Sequence, residues 1–155
     1  LVVVTSDHGN ANPGLIYGAE CNQNFDNLAH FRHSNDFTLQ SINLTDTPSQ
    51  VRDRLIYSFG KVPFSLEEAK QILSFYTEGK QENGLYNYLN LPYSLLADIQ
   101  KKHTSVGWIS MDHSSDYTEL AMYGPGSQNL PPFIENYKMH NFLLTAAEVD
   151  MLEKY

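Results

Sequence analysis

The sequence is poor in three features that would each assign it to a class of protein. It contains one cysteine, Cys21, so an internal disulfide is excluded. It contains no run of about 20 apolar residues, the length that a membrane-spanning helix needs. Basic side chains are also few, 10 against 18 acidic ones, which leaves a net charge of -8. Without a basic patch to neutralise phosphates, nucleic acids and anionic membranes are disfavoured as partners.

The sequence does contain enough apolar material for one folded domain. Hydrophobic residues make up 41% of the 155 positions, and aromatic residues make up 12%. A chain of this length and composition can bury a sizeable core, which argues against an intrinsically disordered protein. We therefore expect a single globular domain.

Three segments predict β-strands. Residues 1–5, LVVVT, form an apolar and mostly β-branched run, typical of a strand covered on both faces in a parallel α/β sheet. Residues 106–111 and 119–123 predict two further strands, and the turn signal at 124–126 ends the second of them. Because a domain rarely starts on its most buried strand, we expect the chain to be part of a longer protein.

Capping signals and apolar periodicity predict helices in the middle and at the end of the chain. Thr47 with Gln50, and Ser65 with Glu68, each form a capping box before a run of apolar residues at helical spacing. A third capping box begins at Thr145. The predicted helices span 47–60, 65–79, 92–103, 132–144 and 145–155.

Two of the predicted strands lead into an Asp-His pair. Asp7 and His8 follow the first strand, and Asp112 and His113 follow the strand that begins at 106. Ligands of open α/β sheets bind beyond the carboxyl ends of the strands, and both Asp and neutral His are good zinc ligands. A turn or cap role is the commoner one for an isolated Asp-His dipeptide. A single catalytic zinc, which usually takes three protein ligands, would need all of Asp7, His8 and His113.

Taken together, these segments resemble the last third of an alkaline phosphatase. In that family a hydrophobic strand ends in Thr-x-Asp-His, a later segment runs from Gly-Trp to a His, and a following strand ends in Tyr-Gly-Pro-Gly. The matching positions here are Thr5, Asp7, His8, Gly107, Trp108, His113, Tyr123, Gly124, Pro125 and Gly126. The sequence departs from the family at 114–115, where Ser-Ser stands in place of Thr-Gly, and at Asp112 and Glu119.

The resemblance implies a zinc-dependent hydrolase of phosphate monoesters that works through a phospho-Ser or phospho-Thr intermediate. Such an enzyme holds two zinc ions and usually one magnesium ion. By this resemblance, Asp7 and His8 would bind the zinc that contacts the nucleophile, and His113 would bind the second zinc. The implied fold is α/β, with part of a mostly parallel central sheet flanked by helices, and residues 25–105 would be a helical insertion within a 1–155 C-terminal segment.

The resemblance also carries expectations about the whole protein. The family is periplasmic or secreted and often dimeric. The nucleophile and the remaining metal ligands lie upstream of Asp7 in the family, so we expect these 155 residues alone to be inactive. A sheet without its upstream strands would expose unpaired edges, which predicts a homodimer or self-association.

Two alternative functions remain open from the sequence. The segment TSDHGNA also resembles cofactor-independent phosphoglycerate mutase, and sulfatases and phosphodiesterases share its Asp-His-Gly pattern; a mutase would imply manganese and a phosphosugar acid. The chain could instead be a non-catalytic assembly module, with the helical region 47–103 as its contact surface. The contact residues would be Phe75, Tyr76, Tyr86, Tyr88 and Tyr93, although simple core packing is the commoner role of such aromatics.

Overall fold

The structure, a computed structural model, describes residues 1–84 and 86–148. These residues form two compact units. The first unit joins residues 1–9 to the chain from 115 onward, and the second unit is residues 10–114. Helices and strands are both present, so the prediction of a mixed α/β chain is confirmed.

Along the chain, three short strands precede a helical middle, and three more short strands precede the last described helix. The strands are β1 (Val2–Thr5), β2 (Gly9–Asn10), β3 (Pro13–Leu15), β4 (Val106–Trp108), β5 (His113–Ser114) and β6 (Leu120–Tyr123). The helices are α1 (Cys21–Phe25), α2 (Asn35–Gln40), α3 (Pro48–Phe59), α4 (Leu66–Thr77), α5 (Tyr93–Thr104) and α6 (Asn136–Ala146), with 3-10 turns at Asp26–His30 and Ser127–Asn129.

The two capping boxes predicted in the middle of the chain are confirmed. The Thr47 hydroxyl accepts a hydrogen bond from the Gln50 amide at 3.3 Å, and the Gln50 side chain accepts one from the Thr47 amide at 2.7 Å. Ser65 and Glu68 make the same reciprocal pair at the start of α4, at 3.1 and 2.8 Å. Each box satisfies two amides that have no partner inside the helix, which is why the helices begin where the sequence places them.

The core of the 10–114 unit lies among α2, α3, α4 and α5. Each of these helices contributes apolar residues at helical spacing to the core. Phe31 packs on Phe59 with ring centroids 4.8 Å apart. The fully buried members are Leu39, Val51, Leu55, Phe59, Ala69, Ile72 and Leu96. The predicted helical middle of the chain is therefore the part of the molecule with the best-formed core.

The described strands pair in short antiparallel ladders. In the first unit β1 pairs with β6, from Val2 opposite Tyr123 to Thr5 opposite Leu120. In the second unit β3 pairs with β4, and Gly14 lies opposite Gly107. Both of these ladders are antiparallel, and the mostly parallel central sheet stays a prediction.

The expectation that the first strand is buried on both faces is wrong for the described chain. Val2 is 60% exposed and Val4 is 65% exposed. β-Branched composition predicts the extended backbone, but burial depends on what other elements pack against the strand. Here β1 has β6 as its ladder partner, and its outward side chains face solvent.

Two other element boundaries differ from those predicted. The strand expected over 106–111 ends at Trp108, and the Ile109 amide then donates to the Ala11 carbonyl at 2.9 Å. The capping box expected at Thr145 does not form, because Thr145 lies inside α6 and its hydroxyl donates to the Asn141 carbonyl at 2.9 Å. The rest of the helix predicted over 145–155 lies outside the described residues from 149 on.

Among the helices of residues 1–84 and 86–148, none has the length and apolar content needed to cross a bilayer.

Candidate functional site

The end of β1 is held by hydrogen bonds to the segment that leads into β6. The Thr5 hydroxyl donates to the Glu119 carbonyl at 3.1 Å, and the Thr118 hydroxyl donates to the Ser6 carbonyl at 3.1 Å. The β1–β6 ladder thus places the Thr-Ser-Asp-His segment beside residues that are more than 100 positions away in the sequence. Asp7 is fixed further by the Asn136 side-chain amide, which donates to its carbonyl at 3.3 Å.

Asp7 and His8 bring a carboxylate and an imidazole close together. Oδ2 of Asp7 lies 3.4 Å from Nε2 of His8, and the two side chains are 78% and 35% exposed. Nδ1 of His8 lies 2.9 Å from the Gly9 carbonyl. Because a carbonyl oxygen only accepts, Nδ1 carries the proton of this hydrogen bond.

The geometry of this pair fits two ligands of one zinc ion. Zinc binds nitrogen and oxygen at about 2.0–2.1 Å in a tetrahedron, whose edges are then roughly 3.3 Å long. The 3.4 Å between Asp7 Oδ2 and His8 Nε2 is close to such an edge. The Nδ1 hydrogen bond to a carbonyl is also the outer contact that metal-binding histidines commonly make.

His113, the third candidate ligand, belongs to the other compact unit. It lies on β5, its side chain is exposed, and its ring packs against Tyr86 with centroids 5.4 Å apart and planes tilted by 39°. The structure therefore brings Asp7 and His8 together as a pair. No group of three or more His, Cys, Asp or Glu side chains within the described ranges is placed to hold a metal ion.

A cavity that the sequence did not predict lies in the 10–114 unit. It has a volume of about 410 Å³ between β3, β4 and α5, and Trp108 and Leu15 line it. Asp98 and Lys101 form an ion pair at 3.8 Å along the α5 side. Trp108 belongs to the Gly-Trp segment of the sequence. The spacing of the residues around it does not predict that they line a cavity.

The sequence also gave no signal for the polar pairs that join the helices. Nε2 of His103 on α5 lies 3.0 Å from Oε1 of Glu68 on α4. The Tyr93 hydroxyl donates to Asp36 at 2.5 Å, and burial together with this bond raises the pKa of Tyr93 to about 12. These partners lie 35 and 57 positions apart, so only the packed helices reveal them.

The aromatics proposed as an assembly surface divide into two sets. Phe75 is buried, the Tyr76 hydroxyl donates to the Leu39 carbonyl at 3.0 Å, and Tyr93 packs against the core, so these three serve the helical core. Tyr86 and Tyr88 are exposed and lie on the loop that precedes α5. Only this second pair has rings accessible for contacts outside the core.

Comparisons with known proteins complete the description of the site. No protein-family model, no curated protein and no solved structure matches the chain.

Proposed function

We propose that this chain is the C-terminal part of a zinc-dependent phosphatase of the alkaline phosphatase type, which hydrolyses phosphate monoesters. The observation that carries the proposal is the separation of Asp7 Oδ2 and His8 Nε2, which suits two ligands of one zinc ion. The resemblance of residues 1–10 and 107–127 to that family supplies the reaction.

Each candidate residue has a defined role in this proposal. Asp7 and His8 hold one zinc ion, and Thr5 and the Ser6 carbonyl keep their loop against the segment before β6. His113 contributes to the second zinc ion. When bound, two zinc ions stabilise the entering and leaving oxygens of an in-line phosphoryl displacement.

The complete enzyme of the proposal contains parts that this chain does not supply. The Ser or Thr nucleophile, the other zinc ligands, the magnesium ligands and the parallel strands of the sheet would come from a preceding segment. The apolar side chains of Val2, Val4 and Tyr123, exposed on the β1–β6 ladder, support this, because such surfaces usually mark contacts. The complete enzyme would be exported and dimeric, and the 155 residues alone would have no phosphatase activity.

Zinc binding tests the assignment of Asp7 and His8 directly. Isothermal titration calorimetry with zinc is expected to show a weak site in the wild-type chain, lost in both Asp7→Ala and His8→Ala. Controls are Asp53→Ala and His140→Ala, which each remove an exposed side chain of the same chemical type from a helix. Zinc binding that survives both site substitutions, or that both controls abolish, would overturn the proposal.

A further inference from the structure

The cavity of the 10–114 unit has apolar walls and room for a small organic molecule. Its volume of about 410 Å³ lies in the range of roughly 300–1,000 Å³ that is usual for small-molecule sites. Leu15, Trp108 and Ile109 line it, and all three side chains are exposed. Large apolar side chains that are exposed together commonly mark a place where another molecule binds.

One side of this cavity carries two opposite charges. Asp98 and Lys101 lie on the same face of α5, and Oδ1 of Asp98 is 3.8 Å from Nζ of Lys101. This separation exceeds hydrogen-bond distance, so the pair does not use the hydrogen-bonding capacity of either group. Because an exposed ion pair contributes little to stability, both groups can turn to a bound ligand at small cost.

Two glycines keep part of the cavity free of side chains. Gly14 of β3 lies opposite Gly107 of β4, and both line the cavity. A Cβ on Gly107 would lie 3.3 Å from Cδ1 of Ile16 and 3.4 Å from Cδ of Lys101, which are cavity-lining residues too. A Cβ on Gly14 would meet nothing within 4 Å, so the space beside this strand is open.

A strained loop borders the same cavity. Ala11 and Asn12 have φ values of +55° and +42°, and Asn12 lines the cavity. Residues other than glycine seldom adopt this conformation, and such strain is concentrated at functional sites. The Ala11 carbonyl accepts from the Ile109 amide at 2.9 Å, and the Ala11 amide donates to the Asp112 carbonyl at 2.9 Å. These two bonds tie the strained loop to the segment that follows Trp108.

We propose that this cavity binds a free amino acid with a large aliphatic side chain. The ammonium group of the ligand pairs with Asp98, its carboxylate pairs with Lys101, and its side chain contacts Trp108 and Leu15. A zwitterion uses both protein charges, whereas a ligand with a single charge brings a like charge close to one of them. This site contains neither Asp7 nor His8, so the inference goes beyond the proposed function and does not depend on it.

The first test uses the fluorescence of Trp108, which is the one tryptophan of the chain and therefore reports on this cavity. Titration with L-leucine is expected to give a saturable shift of the emission to shorter wavelength, because the ligand displaces water from the indole ring. Two analogues each lack one charge: 3-methylbutylamine has no carboxylate, and 4-methylpentanoate has no ammonium group. Both should bind at least about 10-fold more weakly, since each loses its charge-assisted hydrogen bonds to the protein. No saturable shift with L-leucine, or equal affinity for the two analogues and L-leucine, would overturn the inference.

The second test assigns each charge of the ligand to its partner. Asp98→Asn and Lys101→Met should each weaken L-leucine binding by about 10-fold. Lys101→Met should also weaken the binding of 4-methylpentanoate, whereas Asp98→Asn should not. The controls are Glu78→Gln and Lys80→Met, which remove the charges of another exposed ion pair in the same unit, one that does not line the cavity. Circular dichroism verifies that each variant is folded. Unchanged L-leucine affinity in both site variants, or an equal loss in the controls, would overturn the inference.

Discussion

Glu68 and His103 link the first turn of α4 to the last turn of α5. Oε1 of Glu68 lies 3.0 Å from Nε2 of His103, and both side chains are more than four-fifths buried. The other carboxylate oxygen of Glu68 accepts from the amide and the hydroxyl of Ser65, at 2.8 and 3.0 Å. One side chain thus caps its own helix and contacts the neighbouring one.

Replacing Glu68 with Ala is expected to destabilise the 10–114 unit. The variant loses the capping box and leaves His103 without its carboxylate partner, which together should lower the free energy of unfolding by about 2 kcal/mol. Urea denaturation followed by circular dichroism measures this difference. The control is Glu67→Ala, which removes an exposed carboxylate from the same turn and should cost well under half as much. Equal losses in the two variants would contradict the role of the Glu68 contacts.

The same carboxylate should make stability depend on pH in the acid range. Burial acts to raise the pKa of Glu68, but hydrogen bonds from Ser65 and His103 outweigh it and hold the pKa below its ordinary value of 4.5. The unfolded state therefore binds a proton more readily, so the Glu68 contribution is present above pH 4.5 and is lost as pH falls through the lower folded pKa. Unfolding free energies from pH 7 to pH 3 should fall less steeply in Glu68→Gln than in the wild type. Parallel curves would count against this account.

Gly60 is expected to be intolerant of any side chain. It follows α3 with a φ of +69°, and an added Cβ would lie 2.6 Å from the His30 carbonyl oxygen. Strain and the clash together should lower the free energy of unfolding of Gly60→Ala by about 3 kcal/mol. Gly79→Ala is the matched control, because its φ of +64° is similar but nothing lies within 4 Å, so about 1 kcal/mol is expected. Thermal or urea unfolding of the two variants would contradict the prediction if Gly79→Ala were as unstable as Gly60→Ala.

The exposed ladder of the first unit is expected to drive self-association. Val4 of β1 lies opposite Ala121 of β6. A lysine at position 4 would place charge on an exposed apolar surface of the kind that mediates strand-edge contacts. Sedimentation velocity over a range of concentrations should show a lower average mass for Val4→Lys than for the wild type. Leu44→Lys is the control, since Leu44 is also 65% exposed but lies in a loop between α2 and α3. Identical masses for all three proteins would argue against association through β1.

The sequence predicts well those features that neighbouring residues determine. The capping boxes at Thr47 and Ser65 were predicted correctly, since a cap depends on residues three positions apart, but the box predicted at Thr145 was not, because α6 continues past Thr145. The exposure of β1 was not predicted correctly, because the burial of a strand depends on which other elements pack against it. Contacts between distant residues, such as Tyr86 with His113, have no signal in spacing or composition, and they appear only once the helical core positions the loops.

In the candidate site, too, the sequence predicts the part that neighbouring residues determine. Asp7 and His8 are adjacent in the sequence, and their chemistry singled them out before the fold was known. The hydrogen bond from the His8 ring to Gly9 and the 3.4 Å separation from Asp7 depend on the loop conformation. The proposal of zinc binding by this pair rests on these two details.

X-ray absorption spectroscopy of the zinc-loaded chain tests the central claim most directly. The account predicts nitrogen and oxygen ligands at about 2.0–2.1 Å, with the outer scattering of a histidine ring that weakens in His8→Ala. A control with His140→Ala should leave the spectrum unchanged. A zinc environment that is the same in the wild type and His8→Ala would contradict the assignment of His8, and with it the proposal of a zinc phosphatase.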